Sequence, residues 1–213
     1  DVSACATLAY SQSDLITAVD RIRDLGFKKI EITELGAYCR HLPFPDTSLI
    51  DIAGWLEKKG LSVIGINVST ARLVDGLLMR YSMGDPLHRD HILTYCRWFI
   101  DAAVHFGASF VAFPPAPREF DNWSVAAAAA AKVFKELAEY AEKRGTMVYI
   151  EAPHLFQIQD SVDHSLEFLL QLGDSPFCFI IDTSHWGIIG YDLAAYINEI
   201  DERPFHIHLR DSA

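Results

Sequence analysis

The stretch GTMVYIEAPH, residues 145–154, shows the pattern that decides the fold of this chain. Its glycine suits the left-handed position just past a helix, its apolar run suits a strand, and a carboxylate and a histidine follow the run. Apolar runs of the same kind follow Gly26, Gly60, Gly107 and Gly173. Because the runs are apolar on both faces and alternate with helical segments, they predict strands of a parallel sheet that is covered by helices.

The spacing of apolar residues between these runs predicts the helices. In the first helix, apolar side chains recur at Leu15, Val19 and Ile22, and Ser13 is the predicted N-cap. Six helical segments are predicted in all. They alternate with seven predicted strands, at residues 2–7, 28–33, 62–68, 110–113, 147–151, 178–182 and 205–209.

This alternation predicts an α/β fold, and specifically a (β/α)8 TIM barrel that lacks strand eight in this chain. A doubly wound open sheet is the alternative. We expect residues 1–213 to form a single barrel domain that is incomplete at its C-terminal end, because a closed barrel usually needs roughly 250 residues. The natural protein is therefore expected to continue beyond Ala213.

The composition argues against several classes of partner. Of the 213 residues, 50% are hydrophobic, and 18 basic against 29 acidic residues give a net charge of −11. Such a chain is repelled by phosphate backbones and anionic lipid, so no nucleic acid and no membrane partner is predicted. No uncharged apolar run reaches the roughly 20 residues of a membrane helix. The four cysteines show no CxxC spacing, and isolated thiols favour a cytoplasmic location.

Polar side chains gather where the predicted strands end, which is the edge at which parallel barrels place their active sites. Two carboxylates and one imidazole from three consecutive strands, those of Glu151, Asp182 and His208, are a ligand set suited to Mn²⁺, Mg²⁺ or a similar divalent ion. Each has an alternative when taken alone, because a strand-end Asp is often a helix cap and a strand histidine is often part of the core. Further polar residues at this edge are Glu31, Glu34, His154, His185, His206, Arg210 and Asp211.

Three segments, VYIEAPH, FIIDTSHW and HIHLRDS, resemble in order and spacing the xylose isomerase-like barrels. This superfamily of sugar (phosphate) isomerases and epimerases also includes inosose dehydratases and endonuclease IV, and the resemblance extends over nearly the whole chain. It implies that Glu151, Asp182 and His208 bind a divalent metal together with a Glu of strand eight. Mn²⁺ is the expected ion, with Mg²⁺, Co²⁺ and Zn²⁺ as alternatives.

The resemblance also implies a mechanism on a small sugar or polyol. A metal that holds adjacent hydroxyl and carbonyl oxygens of the substrate stabilises an enediolate, while Glu151 transfers the proton. His185 contacts and positions a substrate oxygen in this mechanism. Arg210 or Asp211 orients the ligand.

Trp186 and Glu31 each allow a functional and a structural interpretation. Trp186 is a candidate wall of a sugar pocket, or it packs at the barrel rim. Glu31 is a candidate contact of the substrate or of a metal ligand, or it is a solvated strand end. Histidines in predicted loops and helices are interpreted as surface residues: His41, His88, His91, His105 and His164.

Departures from the family pattern bear on the activity. Gln157 stands where ketose 3-epimerases have a second glutamate, and LRDS replaces their GE-x-N-R stretch after His208, so HLRD is closer to inosose dehydratases and hydroxypyruvate isomerases. The leading prediction is a divalent-metal-dependent isomerase or epimerase of a small sugar, ketose or polyol derivative. The alternatives are a metal-dependent dehydratase and a catalytically degenerate barrel that serves as a binding subunit. Homo-oligomers are common in the family, so a homo-oligomer is a possible assembly for each of these functions.

Overall fold

The structure, a computed structural model, describes residues 3–36, 38–45, 47–74, 77–80, 82–115, 122–154, 157–200 and 205–210. The described strands are β1 (Cys5–Ala6), β2 (Lys29–Glu34), β3 (Ser62–Val68), β4 (Ala71–Val74), β5 (Leu77–Arg80), β6 (Phe110–Ala112), β7 (Met147–Glu151), β8 (Phe177–Asp182) and β9 (Phe205–His208). Seven of them form a parallel sheet in the order β1-β2-β3-β6-β7-β8-β9. Because a doubly wound sheet reverses its strand order at a switch point, this order excludes the open-sheet alternative.

Helices connect successive strands of the sheet. Within the described residues they are α1 (Leu15–Asp24), α2 (Leu49–Lys58), α3 (Arg89–Phe106), α4 (Trp123–Arg144), α5 (Val162–Leu172), α6 (Thr183–Ile189) and α7 (Leu193–Glu199). Short 3₁₀ segments lie at Thr7–Tyr10 and Pro86–His88. None of the described helices combines the length and the apolar character that a membrane crossing requires.

The sheet is strongly curled. Four strands separate β2 from β9 in the sheet order, so a flat sheet would hold these two strands roughly 24 Å apart. Yet Nε2 of His208 on β9 lies 3.1 Å from Oε2 of Glu31 on β2. Side chains of the two strands therefore meet across an enclosed interior, as in a TIM barrel, and the predicted fold is confirmed for the seven parallel strands that the structure describes.

Alternate residues of each strand face the helices or the barrel interior. On β2, Ile30 and Ile32 are fully buried in the large core between the sheet and the helices. In the interior, Phe110 stacks on the ring of Tyr149 with their centroids 4.5 Å apart. A Cβ atom on Gly65 would lie 2.2 Å from the Phe110 ring, so only glycine leaves room for that ring.

The helix ends follow the predicted glycine pattern, with one correction at a helix start. The backbone φ angle is positive at all five predicted positions, namely Gly26, Gly60, Gly107, Gly145 and Gly173. The predicted N-cap of α1 was wrong, because Asp14 rather than Ser13 accepts the hydrogen bond from the backbone N–H of Thr17, at 2.7 Å. A carboxylate in this position also interacts favourably with the helix dipole.

The antiparallel hairpin of β4 and β5 was not predicted. These two strands of four residues each lie outside the main sheet and lack the long apolar run that predicts the other strands. The available signal was the Asp-Gly pair in the sequence between them, because this pair is common in two-residue hairpin turns.

Candidate functional site

The carboxyl ends of three neighbouring strands bring the predicted metal ligands together. Glu151 ends β7, Asp182 ends β8, and His208, which ends β9, is the register partner of Asp182. One potential ligand atom of each residue lies within 4.8 Å of the others. The parallel register explains this proximity, since equivalent positions at the ends of adjacent strands share one edge of the sheet.

Asp182 caps a helix and also stands in the cluster of potential ligands. It is the N-cap of α6, and its Oδ1 accepts hydrogen bonds from the backbone N–H and the hydroxyl of Ser184, at 2.8 and 2.6 Å. Its Oδ2 lies 2.6 Å from the guanidinium of Arg210. Burial alone raises the pKa of Asp182, but the bonds from Arg210 and Ser184 outweigh it and lower the pKa to about 2. Asp182 is therefore negatively charged at neutral pH, and it lies in the cluster of potential ligands.

Glu151 and two histidines line the same edge. Oε1 of Glu151 lies 3.2 Å from Nε2 of His185, and Oε2 lies 4.0 Å from Nε2 of His154. The His154 and His185 rings are close, with centroids 4.2 Å apart. Although Oε1 of Glu151 and Nε2 of His185 are close, they do not form a hydrogen bond, and both atoms, like Nδ1 of His185, are buried without a hydrogen-bond partner among the described residues. Buried polar atoms of this kind need a partner, and a bound cation and substrate would supply it.

Glu31, on β2, contacts two histidines of β9. It is 2% exposed, and its Oε2 lies 3.1 Å from Nε2 of His208 and 3.4 Å from Nε2 of His206. Burial raises the pKa of Glu31, but the hydrogen bonds from the two histidines dominate and lower it to about 2. Burial lowers the pKa of His208, and the bond to Glu31 more than compensates, so that this pKa is raised. Glu31 is therefore a buried carboxylate in contact with a candidate ligand rather than a solvated strand end.

The remaining predicted site residues differ in their positions. Arg210 lies on Asp182, as described above, and its guanidinium is the counter-ion of that carboxylate. Trp186 is 5% exposed, and the centroid of its ring lies 4.8 Å from that of Tyr196. Asp211 lies outside the described residues.

His41 corrects the interpretation of the loop histidines as surface residues. It is 2% exposed, and its ring nitrogens lie 2.9 Å from the Thr7 hydroxyl and from the carbonyl oxygen of Ser13. Its Nδ1 also lies 3.3 Å from the Sγ atom of Cys39. The sequence contains no periodic pattern in this loop that would have indicated burial. His105, in contrast, is exposed as expected.

Glu34, three residues beyond Glu31 on β2, faces away from the barrel interior and outside the cluster. Its two carboxyl oxygens accept hydrogen bonds from the backbone N–H groups of Gly36 and Leu42, at 3.2 and 2.8 Å. Burial nevertheless raises the pKa of Glu34 from 4.5 to about 7. Glu34 thus holds the loop after β2 in place and takes up a proton more readily than an exposed glutamate.

The raised pKa of Glu34 predicts a pH dependence of stability. Its stabilising contribution is complete below about pH 4.5 and is lost as the pH rises through about 7. Compared with Glu34→Gln, the unmodified protein is expected to lose about 2 kcal/mol of unfolding free energy between pH 5 and pH 8. Urea denaturation of both proteins at the two pH values measures the difference, and parallel pH profiles would contradict the raised pKa.

Three carboxylates, one guanidinium and four histidines thus surround the carboxyl ends of β7, β8 and β9, which defines a TIM barrel with a candidate cation site. The sequence model of the family described as "Xylose isomerase-like TIM barrel" matches residues 19–213, so the chain belongs to this family. Among curated proteins, no match is found.

Several solved structures share the fold at low sequence identity. An L-ribulose 3-epimerase is 19% identical with a TM-score of 0.73, and the alignment covers 96% of this chain and 68% of the epimerase. The probable 3-DHS dehydratase AsbF of Bacillus anthracis is 15% identical with a TM-score of 0.71, and the alignment covers 96% of this chain and 71% of the dehydratase. The IolI protein with a bound zinc atom is 17% identical with a TM-score of 0.70, and the alignment covers 97% of this chain and 72% of IolI. These similarities establish the fold.

Proposed function

We propose that the protein is a divalent-metal-dependent isomerase or epimerase of a small sugar, ketose or polyol derivative. The observation that carries the proposal is the convergence of Glu151, Asp182 and His208 within 4.8 Å, next to buried polar atoms that have no hydrogen-bond partner among the described residues. Oxygen and imidazole ligands of this kind suit Mn²⁺, with Mg²⁺, Co²⁺ and Zn²⁺ as alternatives. The epimerase structures of the same fold support the reaction class.

A divalent cation bound here would acidify the proton on a carbon next to a carbonyl group and stabilise the resulting enediolate. Glu151 is the residue that moves this proton, because its carboxylate stands at the cluster and is only 12% exposed as a side chain. His185, 3.2 Å from Glu151, is the residue that donates to or orients a substrate oxygen.

Arg210 balances the charge of the site. Three carboxylates would otherwise repel one another, and the contact of 2.6 Å to Asp182 neutralises one of them. About half of the Arg210 side chain remains exposed, at 47%, so the guanidinium can also reach an anionic or hydroxyl group of a substrate at the barrel mouth. Hydroxyl-rich small molecules fit this arrangement, and we propose neither a nucleic acid nor a membrane partner for a chain with a net charge of −11.

A metal-dependent dehydratase is the second candidate. Gln157 supports it, since an amide cannot accept the proton that a second glutamate would take in a ketose 3-epimerase. With a single carboxylate to remove the proton, the same enediolate can expel a neighbouring hydroxyl group instead of being reprotonated on the other face. The fold shared with a probable dehydratase is in line with this alternative.

Incubation of the Mn²⁺-loaded protein with a panel of ketoses and inososes in D₂O tests the proposal. Deuterium in the recovered or isomerised sugar indicates proton transfer by an isomerase or epimerase, whereas a product that has lost water indicates the dehydratase. The same incubation with chelator is the control. Absence of both products from the whole panel, with the metal bound, would overturn the enzymatic proposal in favour of a binding subunit.

A further inference from the structure

Glu31 is as buried as Asp182, each being 2% exposed, and the mechanism above does not use it. It belongs to β2, whereas the histidines that it contacts, His206 and His208, belong to β9 at the other end of the sheet order. A carboxylate that is 2% exposed is costly unless its charge is compensated, so its position opposite two imidazoles calls for a specific role.

The hydrogen bond between Glu31 and His208 determines which nitrogen of the imidazole carries the proton. A neutral imidazole has one N–H donor and one acceptor nitrogen, and a carboxylate can only accept. Since Nε2 of His208 lies 3.1 Å from Oε2 of Glu31, Nε2 carries the hydrogen. The lone pair that remains for a cation is then on Nδ1.

We propose that Glu31 is a positioning residue that holds His208 in its Nε2–H form, so that Nδ1 of His208 binds the cation together with Glu151 and Asp182. Histidines that bind metals commonly donate their other N–H to a carboxylate, which fixes the ring and makes the ligand more basic. The inference rests on the metal site of the proposed function. It adds a residue on β2, which four strands separate from β9 in the sheet order, to the residues on which that site depends.

The surroundings of His206 favour this role over a second cation held by Glu31, His206 and His208. The His206 ring lies 5.0 Å from the ring of Phe110, which in turn stacks on Tyr149, so this part of the interior is lined by aromatic rings. A cation with three protein ligands keeps at least one further position for water or substrate. His206 instead adds a second imidazole beside the same oxygen of Glu31, at 3.4 Å.

The test compares Glu31→Leu and Glu31→Gln with the unmodified protein. Calorimetric titration with Zn²⁺ alone is expected to show 10- to 100-fold weaker binding for Glu31→Leu, and a smaller loss for Glu31→Gln, whose amide oxygen can still accept from Nε2. His105→Gln, at an exposed histidine of α3, is the matched control and is expected to bind Zn²⁺ with unchanged affinity. His206→Gln is expected to bind the same number of Zn²⁺ ions per chain as the unmodified protein. Equal affinities in the unmodified protein and both Glu31 variants, or a second Zn²⁺ that His206→Gln loses, would overturn the proposal.

The form of the His208 ring is measured separately on the metal-free protein. Nitrogen-15 NMR of protein labelled at histidine, recorded at alkaline pH where the ring is neutral, is expected to show the Nε2–H form of His208 in the unmodified protein and a mixture of both neutral forms in Glu31→Gln. A predominant Nδ1–H form in the unmodified protein refutes the inference. If no protein binds Zn²⁺, the proposed metal site fails, while the NMR result still decides whether Glu31 positions His208.

Discussion

Replacement of Glu151 by glutamine is expected to lower the rate of deuterium incorporation into the substrate by about 10²- to 10⁴-fold, the range found for loss of a general acid–base group. The amide has nearly the shape of the carboxylate but cannot take a proton from carbon. The buried Oε1 atom, which lies 3.2 Å from Nε2 of His185, is where this proton would be accepted. The rate is measured by NMR or mass spectrometry of the sugar recovered from D₂O.

Two controls separate proton transfer from cation binding in this experiment. Each variant is assayed at Mn²⁺ concentrations that saturate it by its own titration, so that weaker binding does not count as slower chemistry. Glu167→Gln, which changes an exposed glutamate of α5 in the same way, is expected to leave the rate unchanged. A rate for Glu151→Gln within a few-fold of that of the unmodified protein would assign proton transfer to another residue.

The substitution Asp182→Asn is expected to abolish the stabilisation of the protein by a bound metal, which is the second large effect. A cation at 100 times its Kd should raise the unfolding free energy of the unmodified protein by about 2.7 kcal/mol, and the variant should gain nothing measurable at the same concentration. A neutral amide is a weaker ligand for Mn²⁺, Co²⁺ or Mg²⁺ than a carboxylate. Thermal or urea denaturation with and without each metal measures the gain.

Asp192→Asn is the matched control for this loss. Asp192 caps α7 as Asp182 caps α6, and each accepts a hydrogen bond of 2.8 Å from the backbone N–H two residues on. Asparagine is as good an N-cap as aspartate, so both substitutions should preserve the helix start. Only Asp182 belongs to the cluster with Glu151 and His208. The same metal-induced gain in both variants would show that Asp182 is not a ligand.

The strands that lie in the middle of the sheet could be predicted closely. Predicted strands at 62–68 and 147–151 coincide with β3 and β7, because both are apolar runs between a helix-ending glycine and polar residues. The first strand was predicted at 2–7 but is described only as Cys5–Ala6. There the chain turns into a 3₁₀ segment at Thr7, whose buried hydroxyl binds the backbone N–H of Thr33, a tertiary contact that no local pattern reveals.

The candidate ligands were accessible to sequence reasoning for the same reason. In parallel strands the last residue of each apolar run reaches the same edge of the sheet, so the ends of three runs indicated that Glu151, Asp182 and His208 lie close together. The hydrogen bond between Asp182 and Ser184 was also accessible, because the two residues are only two positions apart in the sequence. Local spacing determines both features, and no knowledge of the curvature of the sheet is needed.

By itself, the sequence determined the order of the seven strands of the main sheet, the family and the strand-end set of potential ligands, because these depend on periodicity and on separations of a few residues. Only the tertiary structure decided that Glu31 faces His206 and His208 and that His41 is buried against Thr7. Glu31 and His208 are 177 positions apart, and the contact depends on how far the sheet curls. That curvature results from the packing of the whole core and is not written in any single segment.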